Sequence, residues 1–273
     1  DDGSTDKTKL KIQDFILKHP DNHITYIHQD NRGASAARNN GIRNAKGDYL
    51  QFLDADDQLF KEKIDIQINL ASINKYPDLI VGSYRKEDES GNLILEKKYK
   101  NKTNSNWLDL IEANLGNTCS NLFKSDKLKK KIIWNENLKS SQESALMFDL
   151  LKDNAKVVFS SDIHTLIIGR TTGSISASNK KENWKRYITL RKEIIDFIIK
   201  NQIDIDLNKC YQIIFGAIRS LYPYDAKQAI KYFKEYIPKN FKPEVTPTTT
   251  KNFLIIFKLL GFEKTEKIKS LIK

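Results

Sequence analysis

Short apolar runs and helix-like segments alternate through the first half of the chain. Residues 24–27, 49–53 and 79–81 are rich in aromatic and apolar side chains, a composition typical of strands. Residues 34–45 and 63–73 instead carry the mixed apolar and polar pattern of helices. This alternation predicts an α/β fold in which helices cover a sheet.

The strand pattern continues further along the chain. A turn signal at residues 90–92 (SGN) lies between two extended pieces and predicts a hairpin over residues 83–98. A helix is predicted over residues 141–151, and two more strands are predicted over residues 157–159 and 166–168.

Strand signals stop after about residue 176, and only helical patterns follow. They cover residues 184–200, 207–221, 225–236 and 252–260, with Pro238, Pro243 and Pro247 separating the last pattern from the others. We therefore predict two parts: an α/β domain of residues 1–176 and a helical C-terminal extension of residues 177–273.

Composition and cysteine usage exclude several classes of protein. A hydrophobic content of 39% supports a globular core, and the sequence has no run of about 18 apolar residues that would span a membrane. The first residues lack the pattern of a signal peptide, so a cytoplasmic location is expected. Cys119 and Cys210 lie outside any CxxC motif, which argues against a zinc site or a disulfide framework.

The net charge of +11 is unevenly distributed along the chain. Residues 181–273 hold 19 basic and 10 acidic side chains, out of 46 and 35 in the whole chain. Such a region suits an anionic membrane surface, a phosphorylated substrate or nucleic acid. No nucleic-acid recognition motif accompanies it, so a nucleic-acid partner is not expected.

The last helical pattern suggests peripheral membrane contact. Phe253, Ile256, Phe257 and Leu260 fall on one helical face, on a segment too short to span a bilayer. The lysines that follow would meet anionic headgroups on the inner face of the cell membrane. The alternative is that this apolar face packs on the helical extension or on a second subunit.

The most informative stretch is an apolar strand that ends in acidic residues, at positions 47–57 (GDYLQFLDADD). The C-terminal ends of strands line the crevice in which open α/β sheets bind ligands. With Asp54 and Asp56 spaced in this way, one carboxylate can bind a divalent cation while the other reaches a ribose or a metal-bound water. The alternative is a solvated loop whose aspartates cap the helix near Lys61.

Two further motifs precede this stretch, at residues 1–6 (DDGSTD) and 31–41 (NRGASAARNNG). The order and spacing of the three motifs closely resemble family 2 glycosyltransferases of the GT-A fold, over roughly residues 1–176. The resemblance implies a nucleotide-sugar-binding, Rossmann-like mixed sheet flanked by helices. That family normally has a strand with a Pro-x-Tyr-Asn segment and a helix before the Asp-Gly-Ser turn, so we expect the sequence to be truncated at its N-terminus.

The resemblance also implies roles for individual residues. Asp2 would contact the uracil of a UDP-sugar donor, and Arg38 would lie near the nucleotide. Asp54 and Asp56 would form the DxD pair that holds Mn²⁺ or Mg²⁺, with Asp56 the more direct ligand. Arg170 resembles the arginine of the loop that closes the catalytic domain, where it approaches the diphosphate. The alternatives are helix capping for Asp2, a surface ion pair for Arg38 and an ordinary loop around Arg170.

The base of the reaction is assigned by the same resemblance. Glu143 matches the first acid of the Glu-Asp pair that begins a helix in the acceptor half of the family, but the second position is Ser144. Glu143 would then deprotonate the acceptor hydroxyl alone, unless it is only an acid favoured by the helix dipole. Three tryptophans, Trp107, Trp134 and Trp184, are candidates for stacking on sugar rings, although burial in the core is commoner.

Together these features predict an inverting, divalent-metal-dependent transfer of a sugar from a UDP-sugar to a hydroxyl of a glycan or lipid-linked acceptor, as in polysaccharide biosynthesis. Two alternatives share the fold. One is a catalytically impaired nucleotide- or glycan-binding module, favoured by Ser144 and the missing strand. The other is a GT-A-like nucleotidyltransferase. The sequence leaves the oligomeric state open.

Overall fold

The computed structural model describes residues 1–100, 105–130, 133–169 and 179–271. Within these residues the protein has ten helices and six strands. The helices are α1 (Thr8–Lys18), α2 (Ala34–Asn44), α3 (Lys63–Ile73), α4 (Asn106–Ile111), α5 (Ser125–Lys130), α6 (Gln142–Lys152), α7 (Lys180–Lys200), α8 (Leu207–Leu221), α9 (Ala226–Tyr236) and α10 (Lys251–Leu271). The strands are β1 (Tyr49–Leu50), β2 (Gln58–Leu59), β3 (Leu79–Asp88), β4 (Leu93–Lys97), β5 (Leu122–Lys124) and β6 (Val157–Gly169).

A mixed sheet with the order β1-β5-β3-β6-β2 forms the centre of the first part of the chain. The long strands β3 and β6 run parallel, from Leu79 opposite Val157 to Asp88 opposite Gly169. The other strand pairs are antiparallel, and β4 and β5 pair with different ends of β3. The predicted α/β class is confirmed, as is the hairpin, which β3 and β4 form.

Two strand predictions need correction. The two strands predicted at residues 157–159 and 166–168 are one continuous strand, β6, because β3 offers backbone partners along nearly its whole length. Residues 24–27 form no strand. In the described part of the chain, the backbone near these residues pairs with the first two residues, through a parallel bridge between Asp2 and Gln29 and a bond from the Asp1 amino group to the Ile27 carbonyl oxygen at 2.9 Å.

One hydrophobic core continues from the sheet into the helical extension. It joins Val81 of β3 and Phe123 of β5 to Ile198 of α7, Ile214 and Phe215 of α8, all of them buried. The helices of the extension begin at polar caps, as for α8, where Asp206 accepts the backbone N–H of residues 208 and 209. The division of the chain at residue 176 stays a prediction, since the two parts share this core.

Helix α10 packs on the extension through part of its predicted apolar face. Phe253 is buried, and the rings of both Phe253 and Phe257 lie against Phe215. Ile255 and Leu259 on the same helix are 61% and 76% exposed. The packing alternative therefore holds for the two phenylalanines. No helix in the described part of the chain is both long and apolar enough to cross a membrane.

Candidate active site

Asp2 anchors the loop that leads into α2. Its Oδ1 accepts the backbone N–H of Arg32 at 2.9 Å and the side-chain amide of Gln29 at 2.8 Å, and its Oδ2 accepts the N–H of Gly33 at 2.7 Å. Partial burial acts to raise the pKa of Asp2, but the hydrogen bonds from Arg32, Gln29 and Gly33 outweigh it and lower that pKa. Asp2 therefore remains ionised and fixes a loop about 30 residues away, instead of capping the helix that follows it.

Arg38 lies beside residues 54–57 (DADD), which follow β1 and which we call the acidic loop. Its Nη2 donates to Asp54 Oδ1 at 2.7 Å, and its guanidinium lies 4.7 Å from the centre of the Trp134 ring. Only 16% of the Arg38 side chain is exposed, so this is not a pair on the open surface. Trp134 and Asp54 together hold a positive charge at the edge of the site.

The acidic loop brings two carboxylates next to a buried thiol. Donor atoms of Asp54, Asp57 and Cys119 all lie within 4.8 Å of one another. The backbone N–H of Asp54 points to Cys119 Sγ at 3.2 Å, and Asp57 Oδ1 accepts the N–H of Ile168 in β6 at 3.0 Å. Burial raises the pKa of Asp57, helped by the charges of Asp56 and Asp54, although the bonds from Cys119 and Ile168 act against it.

These side chains fit a hard divalent cation. Mg²⁺ and Mn²⁺ prefer oxygen ligands, and a cation would offset the charges of Asp56 and Asp54, which add to the effect of burial on the Asp57 pKa. Cys119 is not a suitable ligand, because burial raises the pKa of its thiol and keeps it protonated. Asp56 lies outside this group of three and is half-buried in the same loop, so its role as the more direct ligand stays a prediction.

A buried lysine is connected to the acidic loop through Gln51 and Cys119. Lys63, on α3, is 1% exposed, and its ammonium donates to Gln51 Oε1 and, at 2.6 Å, to Gln67 Oε1. Gln51 in turn donates to the carbonyl oxygen of Cys119 at 2.8 Å. Burial lowers the pKa of Lys63 to about 7. Sequence analysis missed this residue; its only signal is that Lys63 and Gln67 lie one turn apart on the same face of a helix.

Glu143 is connected to the acidic loop through two adjacent residues, Thr118 and Cys119. It lies in the first turn of α6, and its Oε1 accepts the backbone N–H of Thr118 at 2.5 Å and also the Thr118 hydroxyl. The next residue, Cys119, contacts Asp54. The structure thus brings Glu143 and Asp54 to adjacent residues of the segment 117–121, which we call the bridging turn. Thr118 was not foreseen, since nothing in its sequence context marks it.

The three tryptophans occupy different environments. Trp134 is fully buried beneath Arg38, and Trp107 stacks on Phe197 in the core at 5.2 Å between ring centres. Trp184 lines an open cleft at the start of α7. Only Trp184 is therefore placed to meet a ligand. Arg170 and its loop lie outside the described residues.

The protein also has a cavity that does not include the acidic loop. A cavity of about 660 Å³ opens between β1 and α3, lined by residues that include Tyr49, Ile68 and Lys129. None of the aspartates of the acidic loop lines it. We place the candidate site at the acidic loop because titratable groups with shifted pKa values and metal-ligand chemistry meet there.

Comparison with known proteins identifies a family that the first part of the chain matches. The sequence model of glycosyl transferase family 2 matches residues 1–132, which include the acidic loop and the bridging turn. The resemblance to this family, read from the three motifs, is confirmed over these residues, which are just under half of the chain. The chain therefore carries a glycosyltransferase domain.

Two bacterial relatives match a larger part of the chain. Minor teichoic acid biosynthesis protein GgaB of Bacillus subtilis is 28% identical over 222 residues, which is 78% of this chain and 24% of GgaB. Glycosyltransferase GlyG of Streptococcus pneumoniae is 28% identical over 220 residues, or 73% of this chain and 69% of GlyG. The chain thus spans only about a quarter of GgaB.

Among solved structures, S. aureus TarS 1–349 in complex with UDP-GlcNAc superposes with a TM-score of 0.56, covering 88% of this chain and 66% of that one. At 18% identity this likeness concerns the fold, and the fold of the present chain is GT-A. The fold predicted from the motifs is confirmed.

Proposed function

We propose that this domain transfers a sugar from a UDP-sugar to an acceptor hydroxyl by direct, inverting displacement. The observation that supports it most is the bridging turn, whose adjacent residues Thr118 and Cys119 contact Glu143 on one side and Asp54 on the other. In this proposal the donor-binding loop and the base act at one reaction centre, on either side of the bridging turn. A direct displacement needs one base and no covalent intermediate.

Glu143 is the base in this proposal. Thr118 donates both of its hydrogen bonds to Oε1, so we assign Oε2 to the acceptor hydroxyl. A fixed carboxylate stays oriented as it takes the proton, which is what general-base catalysis requires. Ser144 does not need to act, because the Thr118 contacts orient Glu143 without a second acid.

Asp2, Arg38 and the acidic loop bind the donor in this proposal. A carboxylate accepts about four hydrogen bonds, and three described donors reach Asp2, which leaves one acceptor position for the uracil imide N–H. Asp54 and Asp56 would hold Mn²⁺ or Mg²⁺, whose charge neutralises the diphosphate leaving group when the ion is bound. Arg38 adds a second positive charge at the same edge, and Arg170 remains a further candidate for the diphosphate.

A UDP-release assay with a panel of UDP-sugars and Mn²⁺ tests this function. We expect release to need the cation and to fall about 10²- to 10⁴-fold in Glu143→Gln while UDP affinity is kept. Glu235→Gln, an exposed acid on α9, is the matched control and should leave release unchanged. Pyrophosphate release instead of UDP would indicate a nucleotidyltransferase, and UDP binding without turnover would indicate a binding module.

A further inference from the structure

A second cleft lies where α6, the helix that carries Glu143, begins. It has a volume of about 440 Å³ and opens between the start of α6 and the start of α7. Three aromatic side chains line it, Trp184, Tyr187 and Tyr224, together with the polar residues Ser141, Lys180 and Asn183. Aromatic walls with a few polar groups are typical of a small-ligand site.

The aromatic wall of this cleft is held rigidly. Trp184 and Tyr187 lie about one turn apart on the same face of α7, with ring centres 5.6 Å apart and ring planes at 74°. The guanidinium of Arg191, which is 1% exposed, stacks 3.4 Å from the centre of the Tyr187 ring. A buried cation behind the ring fixes its orientation. The wall therefore needs little reorganisation to receive a flat, apolar ligand surface.

Polar contacts also fix the two sides of the cleft to each other. Arg186 of α7 donates to Ser140 Oγ at 2.6 Å, just before α6, and to Asn183 Oδ1 at 2.7 Å. Lys181 and Lys185 both pair with Asp225, the residue after Tyr224, at 3.0 and 3.1 Å. Hydrogen bonds and ion pairs therefore connect the three segments that bound the cleft: the start of α6, the start of α7 and the start of α9.

Ser141 connects the cleft to the helix that carries Glu143. Ser141 lines the cleft and is also the N-cap of α6, whose first turn carries Glu143. Glu143 itself does not line the cleft, and its carboxylate is turned towards Thr118, so the two are connected through the start of α6. Ser141 has a left-handed backbone, with φ of 60°, and makes no capping hydrogen bond with its side chain. A non-glycine residue in this conformation stores strain of the kind found at functional sites.

We propose that this cleft binds a saccharide unit of the acceptor, with the apolar face of the sugar ring on Trp184 and its hydroxyls on Ser141 and Lys180. Sugar rings present C–H faces to aromatic rings and hydroxyls at their edges, which matches this mixture of walls. The proposal rests on the proposed function, because it takes the bound saccharide to be part of the acceptor in the transfer reaction.

Saturation-transfer NMR with cellobiose, maltose and N,N′-diacetylchitobiose tests the cleft on the full chain. We expect at least one disaccharide to bind, and Trp184→Ala to weaken it about tenfold. Tyr224→Ala provides a second change on the opposite wall. Phe15→Ala removes a half-exposed ring from α1 and is the matched control, expected to bind as the wild type does. The thermal midpoint of each variant shows that it is folded.

Calorimetry with UDP and Mn²⁺ on the same proteins separates this proposal from the function. We expect UDP affinity to be equal in wild type, Trp184→Ala and Tyr224→Ala. If no disaccharide binds the wild type, or if Trp184→Ala and Phe15→Ala behave alike, the cleft is not a saccharide site even where UDP binds. If a disaccharide binds through Trp184 but UDP does not bind, the cleft stands and the proposed transfer reaction fails.

Discussion

The buried ammonium of Lys63 makes a quantitative prediction about pH and stability. Lys63 is 1% exposed, and its described hydrogen-bond partners, Gln51 and Gln67, are neutral amides. Burial lowers its pKa from 10.5 to about 7. At 1.36 kcal/mol per pKa unit, keeping this residue charged in the folded state costs about 5 kcal/mol.

The sign of the pH dependence follows from the two pKa values. Between pH 7 and pH 10.5 the unfolded chain keeps the Lys63 proton while the folded chain releases it. Stability therefore rises with pH in that window, and is lowest below pH 7. From pH 7 to pH 9 the contribution of Lys63 to the free energy of unfolding should increase by about 2 kcal/mol.

Urea unfolding followed by tryptophan fluorescence at pH 7 and pH 9 measures this contribution. We expect Lys63→Met to lose the gain of about 2 kcal/mol relative to wild type. Methionine leaves the oxygens of Gln51 and Gln67 without their donor, which destabilises the variant by about 1–3 kcal/mol at both pH values and does not alter the slope. Cys119, whose pKa burial raises, is common to both proteins and cancels in the comparison.

Lys61→Met, an exposed lysine two residues away, is the matched control and should keep the wild-type slope. An equal gain from pH 7 to pH 9 in wild type and Lys63→Met would refute the reasoning, because the ammonium would then be no more dehydrated in the folded state than in the unfolded one.

Three other predictions concern separate parts of the chain. Asp56→Ala should weaken UDP binding in the presence of Mn²⁺ about tenfold or more in calorimetry, and an unchanged affinity would contradict the metal assignment. Arg219→Met leaves Glu266, its buried partner, uncompensated, and should cost about 3–5 kcal/mol in urea unfolding at pH 7. Membrane contact by α10 would use the exposed Ile255 and Leu259, so changing both to serine should reduce pelleting with anionic liposomes, and equal pelleting would leave the membrane prediction without support.

The sequence predicts helices more reliably than strands here, because a helix makes its backbone hydrogen bonds within one segment of the chain. Helices α3 and α8 begin and end where the sequence places them, and a proline follows each one as a stop signal, Pro77 and Pro223. Residues 24–27 have an equally strong strand composition and still form no strand. A strand needs a partner for its backbone groups, and the described partners are residues 1 and 2.

The motifs located the acidic loop but did not determine how its carboxylates are used. Spacing favours Asp54 and Asp56 as a pair, whereas the structure groups Asp54 with Asp57 next to Cys119. The difference arises from a contact 111 residues away in sequence, the N–H of Ile168 that binds Asp57. A tertiary contact of this range leaves no trace in the local sequence.

The bridging turn holds Glu143 and the acidic loop in a fixed position relative to each other. Gly116 has a φ of 80°, and a Cβ there would lie 1.9 Å from Asn121 Oδ1, so only glycine allows the chain to close on that side chain. Asn121 Oδ1 then accepts the backbone N–H of Gly82 in β3 at 3.1 Å, which ties the turn to the sheet. Thr118 and Cys119 lie between these anchors. A change at Gly116 should therefore act on Glu143 and on the acidic loop together, because the same few residues position both.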